Sequence, residues 1–268
     1  MSGLLSHFKI DFKNSIRDNT MILMNYLFPL GFYALMGILM PKLNGEFLKI
    51  MIPGMLTFSI LAATVLTIPN MIVSARENNI YRSYKIYGAS ISNILILIMG
   101  TTIIHALIVT IIITLTAPSL FNSVRVINIW ALIGVALSFI FTCTSMSILI
   151  GVCCKNTKVT TLWSQLLFIP SVILGGIMIP LETLPKELEI VYKIIPTTYA
   201  TVAMREWGME QIQPLDSIRC IAILLALGII AILLSRYFFQ WDDNNPKKCN
   251  KLNLLFILVP IIAGMIIL

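Results

Sequence analysis

The segment Gly175–Tyr199 reads GGIMIPLETLPKELEIVYKIIPTTY and directly follows the fifth long apolar run of the chain. Pro180, Pro185 and Pro196 divide it into two short helical patterns. The segment is too polar to span a membrane and too apolar to be a free loop. Irregular backbone is tolerated at membrane depth only where it packs against protein, so we expect a re-entrant hairpin that serves as a lid or gate.

The composition on either side of this segment indicates an integral membrane protein. The chain has 58% hydrophobic and only 12% charged residues, whereas soluble domains have roughly 25% charged residues. Its 268 residues leave room for about six membrane helices of ~20 residues and short connections. Any ATPase or large receptor domain is therefore expected on another chain.

The apolar runs predict an all-α integral membrane protein with six transmembrane helices. The predicted spans are Met21–Met40, Ile50–Val73, Ile94–Ala117, Ile129–Val152, Val159–Pro180 and Ile218–Phe239. No small-x-small cleavage site follows the first run, so we expect it to remain in the mature protein.

A seventh apolar run, Leu252–Leu268, is shorter than the others and contains Pro260. Three basic residues precede it, as is typical of a helix that leaves the cytoplasm: Lys247, Lys248 and Lys251. We predict that this run inserts as a short seventh helix packed on the outer flank of the bundle.

Counting Lys and Arg in alternate loops predicts the orientation. Twelve lie on the side that holds the N-terminus and seven on the other side, together with five and seven acidic residues respectively. The N-terminus is therefore predicted to be cytoplasmic. The excess of basic residues indicates membrane topology and attraction to anionic lipid, not binding to nucleic acid.

The order of elements in Gly175–Tyr199 resembles the outer-face signature of ABC type-2 transporter permeases, the membrane subunits of ABC exporters. The matching elements are small residues, a Pro-Leu-Glu block, a second proline and an Asn-Pro-Leu-Thr-Tyr-like block, in which Ile195 and Thr197 replace asparagine and leucine. The resemblance assigns these residues to an outer gate: Gly175, Gly176, Pro180, Glu182, Pro185, Pro196 and Tyr199. The alternative is a Pro-rich hairpin between two membrane helices.

The loop after the second span carries the second part of the resemblance. It reads RENNIYRSYKIYGAS over Arg76–Ser90, where the family has a pattern similar to Glu-x-Gly-Thr-Leu-x-x-Leu-x-x-x-Pro-x-Ser. This stretch forms the short coupling helix that fits a groove on the ATPase in the family. Glu77 and Ser90 match the pattern, while Asn79 replaces the glycine and also tolerates a left-handed backbone.

Two further positions depart from the family pattern, because Tyr84 stands for the leucine and Gly88 for the proline. On a helix, Tyr81, Tyr84 and Lys85 share one face suited to docking. The predicted ATPase-coupling residues are Glu77, Tyr81, Tyr84, Lys85 and Gly88. An ordinary interfacial tyrosine belt is the alternative explanation.

The resemblance covers about residues 1–240 and implies the ABC type-2 exporter fold in a bacterial cytoplasmic membrane. It divides the chain into an amphipathic elbow helix (residues 1–19), a six-helix permease domain (20–240) and a basic linker with the extra segment (241–268). The permease domain contains the coupling loop (74–92) and the outer hairpin (181–217). The elbow pattern consists of apolar residues at every fourth position beside a basic face: Leu4, Phe8, Phe12 and Ile16 with Lys9, Lys13 and Arg17.

The implied partners are two ATP-binding-cassette ATPase subunits and a second copy of the permease or a homologous one. ATP and Mg²⁺ would be bound by the ATPase, because this sequence has no Gly-Lys dipeptide and so no phosphate-binding loop of that type. The implied cargo is a drug, an antimicrobial peptide or a lipid. No catalytic role is expected of this chain.

Polar residues within the predicted spans are candidates for contact with cargo. The pathway candidates are Asn25, Asn70, His105 and Gln165. A buried amide is costly to leave unpaired, which favours the three amides. His105 is also explained by a neutral side chain that bonds to a neighbouring helix. The five cysteines have no CxxC spacing, which favours reduced thiols and no metal site.

Two other classes of protein remain open at this point. A non-transporting sensor or immunity protein would need no ATPase. A membrane-embedded enzyme would need charged or metal-binding residues at membrane depth, and the interiors of the six predicted spans hold no Asp, Glu, Lys or Arg.

Overall fold

A computed structural model describes residues 12, 13, 16, 17, 19–213 and 215–241. Within this part of the chain the structure is all-helical, with six helices long and apolar enough to cross a membrane. The fold class predicted from the sequence is confirmed. The elbow positions Leu4 and Phe8 and the seventh run Leu252–Leu268 lie outside the described residues.

Among the described residues, six long helices and three short ones form most of the fold. The long helices are α1 (Asn19–Leu43), α2 (Phe47–Glu77), α4 (Ile91–Phe121), α5 (Ile129–Cys153), α6 (Thr157–Leu174) and α9 (Ser217–Phe238). The short ones are α3 (Ile80–Ile86), α7 (Glu189–Ile194) and α8 (Pro196–Ala203). We refer to the end of the bundle that holds α3 as the basic end, and to the end that holds α7 and α8 as the hairpin end.

Side-chain caps begin four of these helices. Ser90 accepts a hydrogen bond from Asn93 N before α4, and Asn128 and Asn156 do the same for α5 and α6. Asp216 caps α9 by accepting from Ile218 N. Each cap satisfies a backbone donor that the helix itself leaves free, and thereby fixes where the helix starts.

The fifth predicted span is too long at its C-terminal end. It was expected to reach Pro180, but α6 ends at Leu174. Gly175 follows as the cap residue, and Gly176 has a φ of 75°, which is a left-handed conformation. A left-handed residue ends an α-helix because it turns the backbone away from the helical path.

The core of the bundle is built around α2 and α5. In their most apolar stretches 89% and 72% of the residues are buried, against 17% in α6 and 22% in α1. Helices α5 and α9 pack closely because Gly228 leaves room for Phe141, whose ring would lie 2.5 Å from an added Cβ. Thr142 Oγ1 also donates to Leu224 O at 2.8 Å, which links the two helices through a hydrogen bond.

Candidate functional site

At the basic end, the short helix α3 is fixed to the body of the bundle through Tyr81. This side chain is only 4% exposed, and its ring lies 5.2 Å from the ring of Phe239, just after α9. Tyr84 is half-buried against the same cluster. The prediction of one docking face on Tyr81, Tyr84 and Lys85 is therefore wrong for Tyr81, because packing against α9 turns that ring inward.

The exposed apolar residues of this loop are different from the predicted ones. Ile86 is 76% and Tyr87 87% exposed, at the point where α3 ends. Lys85, which precedes Ile86, and Glu77, at the end of α2, are also exposed. We call Ile86 and Tyr87 the α3 tip. The signal in the sequence was an apolar pair directly before Gly88, where a solvated turn would place polar residues.

Two left-handed residues fix the ends of α3. Asn79 before it has a φ of 58° and Gly88 after it a φ of 77°, so Asn79 adopts the left-handed backbone that its residue type tolerates. After Gly88 the chain closes a Schellman motif, in which Ala89 N donates to Tyr84 O at 2.9 Å and Gly88 N donates to Lys85 O at 3.1 Å. The α3 tip is thus held in a defined place.

Arg76, which the sequence interpretation did not single out, links α2 to the end of α5. Its side chain is 3% exposed. The guanidinium donates to Val152 O at 3.3 Å and to Cys154 O. A cation at the C-terminal carbonyls of a helix is favourable because it complements the helix dipole. The base of the α3 loop is therefore tied to the core helix α5.

At the hairpin end, the backbone after α6 passes so close to α2 and α8 that the glycines at these contacts leave no room for a Cβ. A Cβ added to Gly175 would lie 1.9 Å from Thr197 Oγ1, and one added to Gly54 would lie 2.4 Å from Ile177 O. Thr201 Oγ1 donates to Gly175 O at 2.9 Å. Gly175 and Gly176, both predicted gate residues, therefore form a tight backbone crossing.

Helix α8 is buried along its whole length, Pro196–Ala203. Pro196 occupies its first turn, where a missing N–H costs nothing. Tyr199, at 0% exposure, donates its hydroxyl to Lys193 O at 2.5 Å. Burial, with a smaller effect of Cys220, raises the pKa of Tyr199 to about 12. Pro180 precedes the 3₁₀ turn Leu181–Thr183, and Pro185 is exposed.

An ion pair between the buried Arg205 and the exposed Glu182 joins the hairpin to the end of α8. Arg205, whose side chain is 10% exposed, faces Glu182 with nitrogen–oxygen distances of 3.2 and 3.4 Å. Gln211 accepts from Arg205 Nε at 3.2 Å and donates to Lys49 O at 3.1 Å, at the start of α2. We call Glu182, Arg205 and Gln211 the outer latch. The sequence interpretation gave Arg205 no role, because its partner is distant in the chain.

The comparison with protein families agrees with this geometry. The sequence model of the family described as ABC-2 type transporter matches residues 4–207. The chain belongs to the ABC-2 type transporter family. No curated protein matches the sequence. As an ABC-2 permease the chain is a multi-pass membrane protein and the membrane subunit of a transporter, and this family works with ABC ATPases.

The polar candidates for the transport pathway occupy two places in the permease. Asn70 on α2 accepts a hydrogen bond from Thr161 of α6 at 3.4 Å, and Gln165 lies half-buried one turn further along α6. His105 on α4 instead contacts α1, where Tyr26 Oη lies 2.5 Å from its Nδ1. His105 is buried and also stacks on Phe12, at 5.0 Å between ring centroids.

Asn25 on α1 is the most buried of the three amides, at 6% exposure. Within the described part of the chain its Oδ1 has no hydrogen-bond partner. Among the described residues no three His, Cys, Asp or Glu side chains lie close enough to hold a metal ion.

Proposed function

We propose that this permease is the membrane-spanning subunit of an ATP-driven exporter. It would move an amphipathic or hydrophobic cargo, such as a drug, an antimicrobial peptide or a lipid, out of the cytoplasm or the inner leaflet. A separate ATPase would supply the energy and would hold the ATP and Mg²⁺. The observation that carries the proposal is the exposed α3 tip on a helix that is itself fixed to the bundle.

Exposure of the α3 tip supports docking to an ATPase. Ile86 and Tyr87 project from a loop whose other exposed residues include Arg82 and Lys85. Large apolar side chains that stay exposed beside charged ones are typical of a surface that another protein covers. The basic end is the predicted cytoplasmic end, which is the side where an ATPase would be found.

The contacts behind the α3 tip support transmission of movement into the membrane. Tyr81 connects α3 to Phe239 beyond α9, and Arg76 connects the base of the loop to the carbonyls that end α5. Helices α5 and α9 are in turn bonded through Thr142 and Leu224. A displacement of α3 by the ATPase would therefore reach two membrane helices through packed contacts.

The surface of α6 supports assembly with a second permease copy. Only 17% of its most apolar stretch is buried, and its mean hydropathy of 1.2 is below that of the other five membrane helices. Its half-buried Gln165 would be costly against lipid. A second permease, with a pathway between the two, would cover this polar group.

Charge substitution at the α3 tip tests the proposal. We expect Tyr87→Asp to abolish co-purification of the ATPase and to reduce cargo-stimulated ATP hydrolysis at least tenfold, because docking would bury an unpaired charge. The matched control is Ile212→Asp, at the hairpin end, where the side chain is 97% exposed. Unchanged binding and hydrolysis in Tyr87→Asp would contradict the proposal and favour a non-transporting sensor or immunity protein.

A further inference from the structure

Four phenylalanines from three helices meet in the membrane interior of the permease. The ring of Phe58 on α2 stacks on Phe32 of α1 at 3.9 Å, and its centroid lies 5.7 Å from Phe28 and 5.8 Å from Phe168 of α6. Phe58 is 2% exposed, but Phe28 is 38% exposed. The rings therefore form an aromatic layer that is closed on the α2 side and open on the other.

A polar layer lies one helical turn from these rings, toward the basic end. Asn25 lies in the π-helical turn Leu23–Leu27 of α1, which directly precedes Phe28. On α6, Ser164 and Gln165 precede Phe168 by one turn, and residues one turn apart on an α-helix lie on the same face. Since both rings contact Phe58, the polar groups of α1 and α6 are at a similar depth.

Two groups of the polar layer lack the hydrogen bonds that buried polar atoms normally make. Asn25 is 6% exposed and Ser164 is 1% exposed. Among the described residues, neither Asn25 Oδ1 nor Ser164 Oγ has a hydrogen-bond partner. Leaving a buried acceptor unpaired costs roughly 1–3 kcal/mol, so a molecule that donates a hydrogen bond to Asn25 Oδ1 would be stabilised there.

The layers carry no charge. The sequence has no Asp, Glu, Lys or Arg between positions 18 and 42, between 49 and 76, or between 158 and 182, which contain these parts of α1, α2 and α6. An anionic head group would find no cation at this depth, and a cationic one no carboxylate. The site therefore favours an uncharged polar group that donates a hydrogen bond.

We propose that these two layers form a binding site for uncharged amphipathic cargo with a ring-sized apolar body and an N–H or O–H donor. The body lies against Phe28, Phe32 and Phe168, and the donor points toward the basic end, where Asn25 Oδ1 accepts its hydrogen bond. The inference rests on the proposed export function and narrows its cargo class. It also gives the orientation in which cargo is held.

Three related fluorescent probes test both layers in the full-length permease, reconstituted in lipid nanodiscs without ATPase. N-phenyl-1-naphthylamine is neutral and has one N–H donor, 1-phenylnaphthalene lacks the donor, and 8-anilinonaphthalene-1-sulfonate adds an anion. After subtraction of the signal from empty nanodiscs, we expect saturable binding of the neutral amine. Each of the other two probes should bind at least fivefold more weakly.

Variants then assign the binding to the two layers. Asn25→Leu and Phe168→Ala should each weaken binding of the neutral amine by about fivefold to tenfold, which corresponds to the loss of one hydrogen bond or one aromatic contact. Only Asn25→Leu should remove the preference for the amine over 1-phenylnaphthalene. The matched control on α6 is Leu166→Ala, whose side chain is 63% exposed and lies off the site.

Equal binding of the amine and 1-phenylnaphthalene, tighter binding of the sulfonate, or unchanged affinities in Asn25→Leu and Phe168→Ala would overturn the proposal. If Asn25→Leu does not fold, Asn25→Ala, which removes the amide without adding volume, replaces it with the same expected loss. Since no ATPase is present, a failure here leaves the docking result at the α3 tip unaffected, and the two proposals can be rejected separately.

Discussion

The two ends of the permease differ in how much of their surface is exposed. At the basic end, α3 leaves Ile86 and Tyr87 in solvent and keeps only its inner face on the bundle. At the hairpin end, α8 is buried along its whole length, and Glu182 and Arg205 form an ion pair over it. The first end exposes an apolar surface, and the second is tightly packed.

This contrast follows from the hydrogen-bond partners that each end provides for its polar groups. The irregular backbone of the hairpin end is packed and hydrogen-bonded internally, as backbone at membrane depth must be. The loop around α3 is exposed, and water can hydrate its backbone and charges. Substitutions at the two ends should therefore differ in how much they reduce the stability of the permease.

The backbone crossing at Gly175 should be the most sensitive position. Gly175→Val places atoms within 1.9 Å of Thr197 Oγ1 and 2.4 Å of Ser171 O, and we expect a loss of stability of about 3 kcal/mol. Thermal unfolding of the purified permease in nanodiscs measures it. The control is Gly134→Ala on α5, where an added Cβ meets nothing within 4 Å. Equal melting temperatures for the two variants would show that the hairpin end is loosely packed.

The outer latch should come next. Glu182→Gln leaves the guanidinium of Arg205, at 10% exposure, without its carboxylate, and we expect a loss of about 2 kcal/mol. The pair Glu46–Lys49 is the matched control, since its atoms approach to 2.6 Å but its side chains are 67% and 60% exposed. Glu46→Gln should cost less than about 0.5 kcal/mol. If both substitutions had the same effect on chemical unfolding, the latch would be an ordinary surface pair.

The turn after α3 should show a smaller, local effect. Gly88 has a φ of 77° and open space around it, so Gly88→Ala strains only the backbone, by about 1 kcal/mol. Gly88→Asn, which tolerates this conformation better, should retain more of the stability. Hydrogen exchange of the α3 amides measures the difference. Equal protection in both variants would show that the Schellman motif does not hold the α3 tip.

The smallest effect at neutral pH is expected at Tyr199. Since burial raises the pKa of this hydroxyl to about 12, its contribution is fully present below its unfolded pKa of about 10. It is then lost as the pH rises through the folded value. Tyr199→Phe should remove this alkaline loss and cost about 1 kcal/mol or less at pH 7. Stability curves of the two proteins that stay parallel from pH 9 to 12 would contradict this assignment.

Features of the fold that depend on local composition were predictable from the sequence. The six membrane helices follow from long apolar stretches, because each stretch gains free energy from burial wherever it packs. Asn79 before α3 was expected to tolerate a left-handed conformation, which is also a local backbone preference. The end of α6 was misplaced by the apolar criterion, since Gly175 and Gly176 end the helix within a stretch that remains hydrophobic.

Features that depend on partners distant in the chain were not predictable. Tyr81 was grouped with Tyr84 by helical spacing, but the ring of Phe239 lies beside it and turns it inward. Arg205 was one of several basic residues until the fold brought Glu182 and Gln211 to it. The structural roles of Tyr81 and Arg205 therefore depend on the residues that the fold places next to them.

The class of this protein, its membrane helices and the location of its two unusual loops follow from the sequence alone. Hydropathy, capping and backbone preference act over only a few residues. The tertiary structure alone decided which side of α3 is exposed, which ion pair closes the hairpin and which rings meet at Phe58. Those outcomes depend on the packing of helices that are far apart in the chain, where many alternative contacts are locally equivalent and only the assembled bundle distinguishes them.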